Sequence, residues 1–280
     1  LMAIPMGTKF VAPYLWGWLG DHLGHRMLIV RVGSLLTAAT FVAVFWVRDF
    51  WPLALTMVLF SFFWNAVLPQ FEVVAFNYLG AQVPRYARLR LWGSIGFILV
   101  VVGLGAVLDH APIRTLIWVI MGLLVGIVLF ARFIPEAEVA HLETEHVSLK
   151  GVLKRPEVLA LLVAAMLMAA AHGPYYTFFT IHMVDAGYSK MAAGWLWALG
   201  VVCEIGIFLV MPRILKRVRA ETVILITLLA AALRFVIIGW WVASLPVLLF
   251  AQLLHALTFG AYHASAIGLV HRHFRGKNQA

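Results

Sequence analysis

Long apolar runs, broken at short connections that carry charge or glycine, organise this chain. Nine runs can be read, roughly at 1–19, 27–47, 53–78, 90–108, 113–134, 157–184, 191–211, 222–243 and 246–269. Each approaches the roughly 20 residues that an α-helix needs to cross the hydrocarbon core of a bilayer. The pattern predicts an all-α, polytopic transmembrane protein. The connections alternate in charge. Those after the first, third, fifth, seventh and ninth runs hold Arg26; then Arg85 and Arg88; then Lys150, Lys154 and Arg155; then Arg213, Lys216, Arg217 and Arg219; and last Arg272, Arg275 and Lys277. The others are short and poor in net positive charge: Arg48 with Asp49, Asp109 with Arg114, Asp185 with Lys190, and 244–246 with no charge. By the positive-inside rule the basic set is cytoplasmic, which puts the two ends of the chain on opposite faces. The opening residues show no basic leader or small-residue cleavage site, so no signal peptide is expected and the chain begins within a span.

Composition agrees with a membrane protein. Of 280 residues 64% are hydrophobic and 12% charged, with a mean hydropathy of +0.97, more apolar surface than a soluble domain can bury. The net charge of +9 sits in loops between spans, where topology explains it and nucleic acid is not needed as a partner. Cys203 is the only cysteine, so an internal disulfide and a cysteine metal cluster are excluded. No HExxH pair, Gly-x-Ser-x-Gly elbow or facing aspartate pair occurs; neither an enzyme, a cofactor nor a metal is expected.

The longest polar connection, 135–156, divides the chain into an N-terminal bundle (1–134) and a C-terminal bundle (157–280). Its His141 and His146, beside Glu143 and Glu145, read as a solvated cytoplasmic linker, because metal ligands there would lack a buried second shell.

Ionisable residues inside the runs are the candidate chemistry. Glu204 is the one ionisable side chain in 191–211 apart from the thiol of Cys203; a carboxyl at that depth must be neutral or paired. An inert protonated Glu is the bland reading, and a proton or substrate site the functional one. Arg234 and His255, on the next two runs, fall at about the same depth. A buried Arg must meet a carboxylate, a cavity water or backbone carbonyls, and Glu204 is the partner expected by type and depth. Glu204 shares a helix face with Trp197, Val201 and Phe208; Gln252, His255, Phe259 and His263 form another stripe. Lys9 lies mid-span in the first run, able to pair with Glu72 or receive an anionic substrate. His172, Tyr175 and Tyr176 lie beside Gly173 and Pro174, where a local break in the helix is expected.

Residues 17–26 read Gly-Trp-Leu-Gly-Asp-His-Leu-Gly-His-Arg, with Gly17, Gly20 and Gly24 permitting a tight turn and Asp21 and Arg26 at its ends. This stretch resembles the gating loop between the second and third helices of the major facilitator superfamily. His22 and His25 stand where the family has basic residues, which implies a weaker or pH-dependent charge lock. The resemblance makes the nine runs helices two to ten of a twelve-helix, two-bundle fold of inverted repeats, the chain being a fragment of it. Glu204, Arg234 and His255 resemble the proton-coupling set of lactose-permease-like symporters, with Thr258 in place of that permease's second acid. Glu72 and Arg90 resemble its substrate-binding pair, and Phe97 stands where its aromatic platform is a Trp. The segments GYSKMAAGWLWALGVVCEIGIF and QLLHALTFGAYH resemble the 3-phenylpropionate permease branch. Together these imply a monomeric, multi-pass inner-membrane protein, embedded in the lipid bilayer, that moves a small organic solute with protons. An aromatic monocarboxylate is expected, with Lys9 or Arg90 at the carboxylate and Phe97, Tyr175, Tyr176 or Trp197 at the ring; His172 and His263 complete the candidate lining. A sugar or nucleoside symporter is the alternative, and a non-transporting sensor or fragment a further one.

Overall fold

The computed structural model describes residues 1, 3–79, 83–136 and 149–273, with side chains for all of these except 3, 83–90, 149, 150 and 271. Among the described residues there is no strand. The helices are α1 (Ala3–Leu23), α2 (Arg26–Val42, extended by a 3₁₀ turn Ala43–Phe45), α3 (Phe50–Leu79), α4 (Val83–His110), α5 (Thr115–Ala131), α6 (Leu149–Leu153), α7 (Pro156–Asp185), α8 (Lys190–Ile214), α9 (Ala220–Trp240), α10 (Leu245–His255) and α11 (Tyr262–His273). A π-helical segment, Ala256–Ala261, joins α10 to α11.

Among the described residues, seven helices are long and apolar enough to cross a membrane: Arg26–Phe45, Phe50–Leu79, Leu91–His110, Pro156–Asp185, Lys190–Ile214, Ala220–Trp240 and Leu245–Val270. The two remaining expected runs fall short for different reasons. α5 is apolar but has 17 residues. α1 has 21 residues, yet Lys9, Asp21, His22 and its glycines and prolines dilute its hydropathy.

The helices pack as two units. One contains the described residues of Leu1–Gly93 and Ala111–His141, the other those of Ser94–His110 and Leu142–Ala280. The boundary falls inside α4, because its C-terminal half lies against α8. A Cβ on Gly194 would meet the Val101 carbonyl oxygen at 2.5 Å, and one on Gly105 the Lys190 carbonyl oxygen at 2.7 Å, so only glycine permits this approach. Asp109, a loop charge by sequence, accepts from the backbone N–H groups of Lys190 (2.7 Å) and Met191 (3.1 Å) at the start of α8. A carboxylate there satisfies donors that have no intrahelical partner.

α9 shows why a bilayer suits the fold. Its exposed face carries Leu225, Leu229, Leu233, Val236 and Trp240, while its buried face includes Thr227 and Arg234. Apolar residues outward and polar ones inward reverse the arrangement of a helix in water.

Two expectations need correction. α7 runs unbroken through Gly173 and Pro174. Proline removes one N–H without ending the helix; Thr177 Oγ1 donates to the Gly173 carbonyl at 3.0 Å and the His172 ring bonds the Met168 carbonyl at 2.9 Å, so side chains serve local carbonyls. The 135–156 stretch is also not all plain solvated linker. The Glu136 carboxylate accepts from the Met27 N–H (2.9 and 3.2 Å) at the start of α2, and 149–153 is helical. His141, Glu143, Glu145 and His146 lie outside the described residues.

Candidate functional site

The second unit gathers its polar side chains around Arg234. α9 places this residue in the interior, fully buried. Its Nε donates to the Ala251 carbonyl (3.0 Å), Nη1 to Thr258 Oγ1 (3.3 Å) and Nη2 to Gln252 Oε1 (3.3 Å). The guanidinium carbon lies 4.2 Å from the centre of the Tyr175 ring and 5.3 Å from that of Phe235. Among the described residues the acceptors that hold it are uncharged, so the expected seat on the Glu204 carboxylate gives way to a carbonyl, an amide, a hydroxyl and two aromatic faces. A forked donor with five N–H groups suits such a set, and a desolvated ring face adds about 2 kcal/mol of attraction. Thr258, in the place of the expected second acid, thus helps to hold the cation.

Glu204 meets His255 instead. Its Oε2 lies 3.8 Å from His255 Nε2, within ion-pair range and beyond a hydrogen bond. The carboxylate side chain is 15% exposed and the imidazole 7%. Tyr175 ties this pair to Arg234, since its hydroxyl donates to Gln252 Oε1 at 3.1 Å and its ring lies 6.5 Å from that of His255. Several buried atoms here have no hydrogen-bond partner among the described residues: His172 Nε2, Gln252 Nε2 and His255 Nδ1. His172 Nδ1 faces a carbonyl and must carry the proton, which leaves Nε2 as an acceptor. A cluster holding an unused donor and an unused acceptor is equipped for a proton or a polar guest.

Aromatic rings line the same region. Tyr176, 44% exposed, stacks on Trp197 with centroids 6.0 Å apart, and Trp197 Nε1 donates to Thr180 Oγ1 at 3.1 Å. Phe259 is sandwiched between His255 (5.4 Å) and His263 (6.0 Å), all near parallel. The structure thus brings together Glu204, Arg234, His255, His172, Tyr175, Tyr176 and Trp197, with His263 joined through Phe259. Phe97 is partly exposed on α4 and belongs to the same unit.

The other candidates belong to the first unit. Lys9 is exposed on α1 and Glu72 half-buried on α3. Arg90 lies on α4, its side chain outside the described residues, as are those of Arg85 and Arg88. The turn at 17–26 is held by side chains. Arg26 Nη2 contacts the Asp21 carboxylate, and Nη1 donates to Gln70 Oε1 at 2.8 Å. Gln70 Nε2 in turn donates to the Trp16 carbonyl at 3.1 Å. Gly24 takes a φ of +65°, and a Cβ on Gly20 would meet Gln70 Oε1 at 2.7 Å. Gly17, expected in the tight approach, has nothing within 4 Å.

Sequence reasoning missed Gln70, Glu136 and the contacts of Asp109. Gln70 left a signal, an amide in an apolar run.

The family model "MFS_1 like family" matches residues 1–280. A protein of Escherichia coli (strain K12) named "Probable 3-phenylpropionic acid transporter" is 32% identical over 274 residues, 95% of this chain and 70% of that protein. The maltose permease of Geobacillus stearothermophilus is 25% identical over 207 residues, 71% of this chain and 52% of the permease. The crystal structure of the nucleoside transporter NupG superposes with a TM-score of 0.77 at 18% identity, covering 98% of this chain and 72% of that one, a likeness of fold. Apolar helices with their polar groups turned inward are thus the transmembrane helices of a transporter rather than an enzyme, and the chain belongs to the MFS_1 like family of the major facilitator superfamily.

Proposed function

We propose that this transporter is a secondary active carrier of the inner membrane that couples the movement of an aromatic monocarboxylate, such as 3-phenylpropionate, to protons. The observation that carries the reading is the Glu204–His255 approach at 3.8 Å beside a fully buried Arg234 held by neutral groups. A carboxylate and an imidazole at that distance interact electrostatically, so protonating one changes the proton affinity of the other. Movement that changes these separations changes proton affinity, and by reciprocity protonation biases the conformation and the affinity for solute. Tyr176 and Trp197 offer a partly exposed stacked pair for the ring, with Tyr175 and His172 against it. His263 and Phe97 remain candidates on the family resemblance. Lys9, Glu72 and Arg90 remain candidate polar contacts on the strength of the family resemblance. The name of the 32% identical relative supports the choice of solute.

The test is uptake of labelled 3-phenylpropionate into proteoliposomes under an imposed pH gradient, for the wild type and Glu204→Gln. The wild type accumulates the acid, small aromatic acids compete, and Glu204→Gln does not accumulate it. Competition by maltose or a nucleoside in place of aromatic acids overturns the solute. Undiminished accumulation by Glu204→Gln removes that residue from coupling.

A further inference from the structure

Glycine faces the ionisable residue on each side of the Glu204–His255 contact. On α8, a Cβ on Gly200 would lie 3.1 Å from His255 Cδ2 and 3.3 Å from Gln252 Oε1. On the facing helix, a Cβ on Gly260 would collide with Ile207 Cγ2 and lie 3.3 Å from Glu204 Cγ and 3.5 Å from the Glu204 carbonyl oxygen. Gly200 receives the imidazole and Gly260 receives the carboxylate stem. Both pairs advance in the same chain direction, so the two helices run parallel where they touch.

The spacings differ. Gly200 to Glu204 is four residues, one α-helical turn; His255 to Gly260 is five. Five is the step of π-helical hydrogen bonding, and the π segment Ala256–Ala261 begins immediately after His255. Continued as a regular α-helix, the chain would bring residue 259 toward Glu204 at the four-residue step, and that residue is Phe. Its ring would then compete for the space of the Glu204 stem. In the π arrangement Phe259 instead stacks between His255 and His263.

Resting on the proton-coupling reading above, we propose that the π turn and Gly260 are a positioning element. They set the Glu204–His255 separation, and a shift between π and α winding at 256–261 is the motion that changes it. Gly260 touches no solute in this scheme; it acts through Glu204. The charged and titratable groups around the contact are Glu204 on α8, Arg234 on α9, His172, Tyr175 and Tyr176 on α7, and His255 with His263 on the facing helix.

The test uses Gly260→Ala and the double variant Gly260→Ala with Ile207→Ala, in which removing the Ile207 branch makes room for the new methyl. Two transport modes are compared in proteoliposomes with 3-phenylpropionate: accumulation driven by a pH gradient, and exchange at equal pH. Gly260→Ala lowers accumulation at least about tenfold while exchange stays within about twofold, and the double variant recovers accumulation. A solute-free arm measures Tm in mildly acidic and mildly alkaline buffer: Gly260→Ala changes the difference between the two, and the double variant restores it. Equal loss of both transport modes, with Tm falling by the same amount in both buffers, makes Gly260 a packing residue and overturns the proposal. So does a failure of the double variant to recover either readout. If Glu204→Gln still accumulates solute, the coupling reading itself has failed, a result distinct from either.

Discussion

The two units each hold an arginine against an amide side chain, and they do so in opposite surroundings. Arg26, itself only 15% exposed, reaches Gln70 and Asp21 at the end of α1, where Asp21's side chain is 68% exposed and brings water to the pair. Arg234 reaches Gln252, Thr258 and a carbonyl, with no exposure at all. Where water is at hand, the arginine has a carboxylate as partner, and the pair is worth about 0–1 kcal/mol because water competes for both ions. In the interior the cation is held by dipoles and ring faces. Burying it costs several kcal/mol that a packed apolar residue would not incur, so stability does not explain its presence.

That contrast is sharpest at Arg234 itself. Arg234→Met removes the buried charge and fills much of its volume. Transport falls by about two orders of magnitude or more, equivalent to roughly 3 kcal/mol at about 1.4 kcal/mol per tenfold, while Tm is unchanged or higher. Paired flux and thermal-unfolding measurements decide it. A collapse of Tm together with flux would make the arginine a structural support, and the contrast with Arg26 would dissolve.

Asp21→Asn probes the other side, with a smaller effect. The loop keeps its Gln70 bond, so the free energy of unfolding changes by about 1 kcal/mol or less. If the loop gates, the rate of exchange falls roughly five- to tenfold with the ratio of accumulation to exchange preserved. A lost ratio would place Asp21 in coupling and blur the line between the two arginine sites.

The two sites were unequally legible in the sequence for the same reason that they differ in energy. Asp21 and Arg26 are five residues apart around Gly24, so local turn chemistry alone brings them together. Glu204, Arg234 and His255 sit on three helices, and hydropathy fixes their depth but not their rotation about each helix axis. The three residues do lie near one another, but Gln252, Thr258 and the Ala251 carbonyl hold Arg234 where Glu204 was expected. The π segment was hidden too, since an apolar run reads the same whether its turns hold four residues or five. Glu136 was obscured because a carboxylate that caps a neighbouring helix looks, in one dimension, like any polar residue near a loop; Gln70 stood out as an amide in an apolar run, but its partners Arg26 and Trp16 did not.

The finest division lies within the first unit, between two glycines of one motif three residues apart. Gly17→Ala meets nothing within 4 Å, and inside α1 the methyl group restricts the unfolded chain and favours the helix by up to about 1 kcal/mol. Gly20→Ala places a Cβ 2.7 Å from Gln70 Oε1 and 3.3 Å from Arg26 Nη1, so the amide must move and its bonds to Arg26 and Trp16 weaken. Its cost is about 1–3 kcal/mol, the range of overpacking with disturbed polar contacts. Thermal unfolding of both variants should therefore shift in opposite directions. The same shift in both would mean that helix propensity outweighs the approach of Gln70, and that Gly20 serves the turn rather than the contact between α1 and α3.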